Sequence, residues 1–380
     1  MAAAWWARLR GLERPRRVAL GAAVVLVIGG AALALTAPRP VALAPVATST
    51  DAPVVTLAYV RSLPDAGDPP LTRPVGLALD ERYLYVADSG AGVVRRFLTA
   101  GPDAGEIGVG TLEVPTYLAR DVVAGTLLVT DRGTGSVQLF DDDGGHLGEF
   151  RPSTETTTAW QPLGVAADGM GRVAITDTAA THRVLVTDRS GRVLRIIGTD
   201  TRDPAARDSG VTLDFPNSVG FSYDELWVGD SNNRRVLVFG PDGDLRRHAR
   251  VAGVARGLAF LEPAEGGERF VAVVDALTSE IVLLDAEGAE VARYGGPGAT
   301  AGLLAYPNDV AYDPETSQLF VADTGNARVQ IWQVTHPGET DRAGLAEMAR
   351  RFTPQQVAGI ALAALGVVVG VAALWRRRGR

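Results

Sequence analysis

From residue 54 to residue 334 the apolar positions come in short runs rich in Val, Ile, Leu and aromatic residues, separated by turns bearing Gly, Asp or Asn. No part of that stretch keeps the three-to-four spacing of an amphipathic helix, so the pattern predicts strands throughout. The strands recur as a unit. Pro307 to Trp332 reads PNDVAYDPETSQLFVADTGNARVQIW, and Pro216 to Phe239 reads PNSVGFSYDELWVGDSNNRRVLVF. Further copies start at Pro74, Pro115 and Pro162, and a degenerate one at Arg256, where the Pro is lost. Each copy holds an Asp at one point: Asp88, Asp131, Asp177, Asp230, Asp275 and Asp323, spaced 43 to 53 residues apart. That spacing is close to the period of propeller blades. Within a copy, an apolar strand, a turn, a strand ending in the Asp and a third strand follow one another. A more polar fourth strand comes after turns such as Asp143-Gly144, Ser190-Gly191, Asp242-Gly243 and Glu287-Gly288. Six copies of about 47 residues predict an all-β fold, a six-bladed β-propeller over 54–334. The sixth copy ends after its third strand, whereas VVTLAYVRSL (54–63) precedes the first copy. The early segment is therefore expected to supply the outer strand of the sixth blade and close the ring.

The two ends follow a different pattern. Residues 18–36 (VALGAAVVLVIGGAALALT) and 357–375 (VAGIALAALGVVVGVAALW) are uncharged runs of 19 residues, long enough to cross a bilayer. Arg8, Arg10, Arg14, Arg16 and Arg17 precede the first, and Arg376, Arg377, Arg378 and Arg380 follow the second. The positive-inside rule puts both basic flanks in the cytoplasm, and two spans return the chain to the side it started from. The expected organisation is a basic N-terminus (1–17), a transmembrane helix (18–36), a Pro/Ala/Thr-rich linker (37–53) and the propeller (54–334). A juxtamembrane linker (335–356), a second transmembrane helix (357–375) and a basic tail (376–380) complete it. The propeller then lies outside the cytoplasm, in the cell envelope. A cleaved signal peptide is the competing reading of the first run, but the nearest A-x-A site, Ala42-Leu43-Ala44, is followed by Pro45.

Composition then removes several chemistries. The absence of Cys excludes disulfides, cysteine nucleophiles, Cys-ligated zinc and iron–sulfur clusters. Of four histidines, His146 and His248 fall in outer turns or strands, His182 in a loop and His336 after the last blade. None is on an inner strand, which argues against a three-His zinc site. No G-x-S-x-G elbow occurs. The formal charge of −7 conceals an asymmetry. Setting aside the five Arg and one Glu before residue 18 and the four Arg after residue 375 leaves 28 Arg against 43 acids, a net charge of −15. So acidic a ring repels polyanions, and no nucleic-acid partner is expected.

The repeats resemble the NHL family, whose signature joins Pro-x-Gly to an Ala-Asp-(Ser/Thr)-x-Asn-x-Arg run. The sixth copy matches it through Ala322, Asp323, Thr324, Asn326, Arg328 and Val329, and the fourth through Asp230, Ser231, Asn232, Asn233, Arg235 and Val236. Val93, Ser136 and Glu280 stand where the first, second and fifth copies lack the Arg. The resemblance implies fold more than activity, since such propellers serve binding, scaffolding and some catalysis. An Asp present in every blade reads as a turn device, its carboxylate capping N–H groups of the loop after the second strand. Function is sought where the repeat breaks. The residue after the repeat Pro is Val75, Thr116, Leu163, Asn217 and Asn308, with Arg256 in the degenerate copy. Thr116, Asn217, Arg256, Asn308 and Asp309 are thus expected at one rim of the central tunnel as ligand-binding candidates. Propeller lactonases hold Ca²⁺ with similar Asn, Asp and Glu oxygens, so a calcium-dependent lactonase or lyase is the alternative to a binding or scaffold module. Under the favoured reading no cofactor and no catalytic residue are expected, and the partner is an envelope protein, peptide or glycan.

Overall fold

Alternation of buried and half-buried positions along short β-branched runs, broken by turn residues, folds the middle of the chain into strands. The computed structural model describes residues 55–65, 67–99, 101–153, 160–179, 181–198, 211–263 and 267–337. These form six four-stranded antiparallel sheets, the blades of a six-bladed propeller. Blade 1 comprises Pro74–Leu79, Tyr83–Asp88, Val93–Leu98 and Asp103–Ile107, and the other blades repeat this order from inner to outer strand. The inner strands of blades 2 to 6 are Pro115–Asp121, Pro162–Ala167, Pro216–Ser222, Ala255–Leu261 and Asp309–Asp313. Each adjoins the next, and that of blade 6 adjoins that of blade 1. The turns before the fourth strands carry Gly144, Gly191, Gly243 and Gly288 at positive φ, as the paired Asp-Gly, Ser-Gly and Glu-Gly dipeptides predict.

The core is not one mass but six layers, each filling the gap between two neighbouring blades. Trp332, Leu319 and Val321 of blade 6 pack on Leu261, Ala272 and Leu283 of blade 5. Phe97 and Leu84 of blade 1 pack on Phe320 and Ile331 of blade 6. Four comparable layers lie between the remaining neighbours. Hydroxyls stitch the blades near the axis. The residue after the repeat Asp, Ser89, Ser231 or Thr324, donates to the carbonyl of the next blade's first residue, Pro115, Ala255 or Pro74.

The ring closes as the sequence predicts. Thr56–Leu63 pairs antiparallel with Arg328–Thr335 and completes blade 6 in the order outer strand, third, second, first. Tyr59 stands edge-on to Trp332 across this pair, with ring centroids 6.0 Å apart. Among the described residues no helix is long and apolar enough to cross a membrane. The spans expected at 18–36 and 357–375, both basic flanks, the 37–53 linker and residues 338–356 lie outside the described residues.

Because every interlayer needs both of its blades, removal of residues 54–63 is expected to abolish cooperative unfolding of the whole ring rather than to fray one edge. Thermal denaturation followed by circular dichroism checks this. A truncated protein melting at the parental temperature would contradict closure by that strand.

Candidate functional site

The six repeat Asp side chains are wholly buried, and antiparallel pairing decides what they bind. Pro74 lies opposite Asp88 and Pro115 opposite Asp131, so each carboxylate faces the segment that leads into its own blade. Asp88 accepts from the backbone N–H of Thr72 and Arg73 at 2.8 and 2.7 Å. Asp131 accepts from Glu113 and Val114 at 2.7 and 2.9 Å, and Asp275 from Gly253 and Val254 at 2.6 and 3.0 Å. The loop after the second strand, where the sequence places these bonds, is held as well, through Gly133, Ala179 and Leu277. The reach back to the preceding connection is the larger finding. Where an Arg follows, it replaces one backbone donor. Arg183, Arg235 and Arg328 bond Asp177, Asp230 and Asp323 through Nε at 3.0, 2.7 and 2.7 Å. Those three carboxylates take a single N–H of the connection, from Gln161, Asp214 and Ala305 respectively. Donors of this kind offset the cost of taking a carboxylate out of water, and every blade provides them.

This face of the ring, with the blade connections and the turns after the second strands, is where the candidates converge. The third residue of each inner segment alternates around the axis: Gly76, Tyr117, Gly164, Ser218, Gly257, Asp309. A Cβ on Gly76 would stand 2.2 Å from the Thr116 carbonyl, and one on Gly257 2.3 Å from Asp309 Oδ1, so odd blades need Gly for even blades to reach inward. Tyr117 crosses the hub from blade 2 to the Asn308 carbonyl of blade 6, 3.4 Å away. Asp309 Oδ2 accepts from Leu77 N at 2.8 Å and Oδ1 from Val310 N at 2.9 Å. Burial pushes the Asp309 carboxyl up to about 7, against the pull of those two N–H groups, and raises the Tyr117 phenol above its usual range.

Two blades depart from the repeat just before the Pro. Phe215 in blade 4 and Tyr306 in blade 6 have φ of 55° and 49°, in the left-handed region that bulky residues avoid. The turn swings their N–H away from the repeat Asp, to His182 Nδ1 at 3.0 Å and Ser279 Oγ at 3.3 Å. It also sets the Phe215 ring edge-on to His182, with centroids 5.7 Å apart. Tyr306 OH accepts from Arg256 Nη2 at 2.8 Å, and Arg256 Nη1 reaches Asn217 Oδ1 at 3.4 Å.

The structure therefore brings Asn217 and Arg256 together, places Asn308 beside Tyr117 and sets Asp309 deeper in the hub. Asn217 donates to Ser231 and Asn308 to Thr324, at 2.6 and 2.8 Å. Thr116 is tied to Thr130 and takes no part in the group around Arg256. Tyr117, Phe215 and Tyr306 escape the sequence reading. The alternation that marks Tyr117 is visible when the copies are aligned at their third position, whereas nothing in the sequence marks the two left-handed residues. As a calcium site the set fits poorly. Both Asp309 oxygens hold backbone N–H groups, Asn217 Oδ1 faces a guanidinium, and among the described residues no cluster of His, Asp or Glu suits a metal ion.

Two clefts flank the hub. One of about 270 Å³ opens on the same face between blades 2 and 4, lined by Arg132, Trp160, Gln161, Leu163, Thr178 and Phe215. The Trp160 Nε1 there is buried and has no hydrogen-bond partner. The other, about 700 Å³, lies between first-to-second-strand turns of blades 4 to 6 and includes Tyr223, Phe260, Glu262 and Tyr312.

The family model for the NHL repeat matches residues 304–332, which lie in and before blade 6. No curated protein sequence matches the chain. Among solved structures, a streptogramin B lyase is 13% identical with a TM-score of 0.52, covering 74% of this chain and 98% of its own. A gluconolactonase from Xanthomonas campestris is 16% identical with a TM-score of 0.54, over 74% of this chain and 90% of its own. An auxiliary nutrient binding protein from Bacteroides thetaiotaomicron is 12% identical with a TM-score of 0.54, over 70% of each chain. Identities this low establish the shared propeller and nothing of its use.

Asp309 yields a test with a definite sign. Its ordinary pKa is about 3.9, so between pH ~4 and ~7 the folded state holds a proton that the unfolded chain releases. Stability contributed by the neutral carboxyl is full below pH ~4 and is lost as pH rises towards 7. Relative to Asp309→Asn, the wild-type protein is expected to lose on the order of 4 kcal/mol across that range. Denaturant titrations of both proteins at pH 4 to 8 measure it. A constant difference between them would show that the hub carboxyl is ionised throughout.

Proposed function

We propose that this protein is a membrane-anchored propeller whose ring stands outside the cytoplasm and binds a ligand on the face carrying the blade connections, without catalysing its conversion. The observation that carries this reading is the group at the axis. Its acidic and amide side chains are engaged with backbone and hydroxyl partners inside the hub, and what they leave towards solvent is a fixed guanidinium and an aromatic ring. Such a surface orients a ligand but offers no free base beside a convergent set of oxygens. The two uncharged 19-residue runs with their Arg flanks support anchorage at both ends.

The competing reading is a calcium-dependent lactonase or lyase, favoured by the nearness of Asn217, Asn308 and Asp309 to one rim. Metal analysis of the purified full-length protein separates the two. The binding reading predicts no stoichiometric calcium and no change in melting temperature on adding it. Calcium at one per chain, lost in Asn308→Ala, would establish the enzyme reading instead.

The absence of Cys makes the topology simple to test. A single cysteine at Tyr223, which is 76% exposed, is expected to react with a membrane-impermeant maleimide on intact cells. A cysteine replacing Arg378 should react only after lysis. Labelling of both, or of the tail alone, would refute the proposed orientation.

A further inference from the structure

We infer that Arg256 is the anchor of a carboxylate-binding subsite, and that the ligand it serves is a glycan bearing uronic acid. This rests on the binding reading above and narrows it to a chemical class.

The subsite stands on three independent features. The first is charge without a counterion. Most arginines in strands and turns of the ring pair with Asp or Glu, including Arg95, Arg120, Arg189, Arg247 and Arg293. Among the described residues, Arg256 has no carboxylate within ion-pair distance, and neither do Arg73, Arg132 and Arg234 on the same face. A ring with a net charge of −15 over the segment between the basic ends thus carries, on this face, arginines that form no ion pair. Arg256 is also half-buried and its Nε is buried with no acceptor, which leaves its charge incompletely compensated.

The second feature is geometry. Tyr306 OH and Asn217 Oδ1 each hold one terminal nitrogen, and the guanidinium carbon stands 5.4 Å from the Tyr306 ring centroid. A guanidinium fixed in this way is ready for a flat, singly charged, two-oxygen acceptor. Carboxylate matches a planar guanidinium with two terminal nitrogens held in place, because its two oxygens lie in one plane. The positioning of Tyr306 depends on its left-handed backbone, a conformation that costs roughly 1–3 kcal/mol.

The third feature concerns the body of the ligand. Phe215, two residues before Asn217, lines the neighbouring cleft with Trp160, and Thr134, Gln161 and Thr178 add polar groups. Trp160 Nε1 itself is buried, so the indole offers the cleft its ring and not its N–H. Aromatic faces beside hydroxyl and amide groups suit a pyranose ring, with its apolar C–H face and peripheral hydroxyls. A sugar in the cleft with its carboxylate turned to Arg256 satisfies both halves.

Titrating the full-length protein with tetragalacturonate, and following tryptophan fluorescence and melting temperature, tests the assignment. Saturable binding is expected, with none to a neutral oligosaccharide of equal length. Arg256→Gln should weaken it at least tenfold, and Trp160→Ala should weaken it while leaving the circular dichroism spectrum unchanged. Equal binding of the neutral sugar, no binding of the uronate, or full affinity in folded Arg256→Gln would overturn the inference. A peptide that binds as the free C-terminal acid and not as the amide, in place of the uronate, would reassign the subsite and overturn the glycan. A photo-cross-linkable residue at Asn232, on the same face, separates this from the broader reading, because the chain contains no Lys for amine-reactive reagents. A partner captured equally by wild type and Arg256→Gln would leave the binding module standing and remove the carboxylate subsite.

Discussion

Six buried carboxylates set the geometry on which the rest of this ring depends. Each sits at the end of a second strand and grips the backbone that leads into the same blade. Every blade connection is thereby held against its own sheet, at about the same height on the same face. Removing such an acceptor would leave buried N–H groups unpaired, which costs roughly 1–3 kcal/mol for each. The hydroxyl after the Asp then reaches the next blade, so one short segment serves both the sheet and its neighbour. The apolar layers supply most of the stabilisation, but they are not directional. The carboxylates provide the direction.

The candidate site is an edit of that device. In blades 4 and 6 one N–H leaves the carboxylate for a side chain of the preceding blade, and the aromatic residue that donates it takes a left-handed backbone. The degenerate blade between them loses its Pro and gains Arg256 at the equivalent of the Asn217 and Asn308 positions. Three neighbouring irregularities thus act together, while blades 1 and 2 keep the regular pattern. Departures from the repeat that gather in neighbouring blades are more readily explained by use than by folding.

Much of the fold was legible because repetition gives several readings of the same position. The period, the Asp in each copy and the unpartnered strand at 54–63 all followed from aligning one segment with its copies. Asn217, Arg256, Asn308 and Asp309 were found by asking where that alignment breaks, and the structure sets them around the hub, though Thr116 stands apart from Arg256. Contacts between blades distant in the chain could not be read this way. Tyr117 meets Asn308 only because the ring closes, which is a property of the whole. The left-handed Phe215 and Tyr306 were hidden for another reason: a residue before Pro is ordinarily extended, and neither Phe nor Tyr signals an exception.

Thr56 lies directly opposite Thr335. The chain therefore arrives at the ring and departs from it side by side, at one end of one strand pair. Tension between the two exits would act first on that ladder, from its open end, because Thr56–Leu63 pairs with no other strand. Opening that pair would expose the apolar layers on either side of blade 6, to which Leu57 and Leu63 belong.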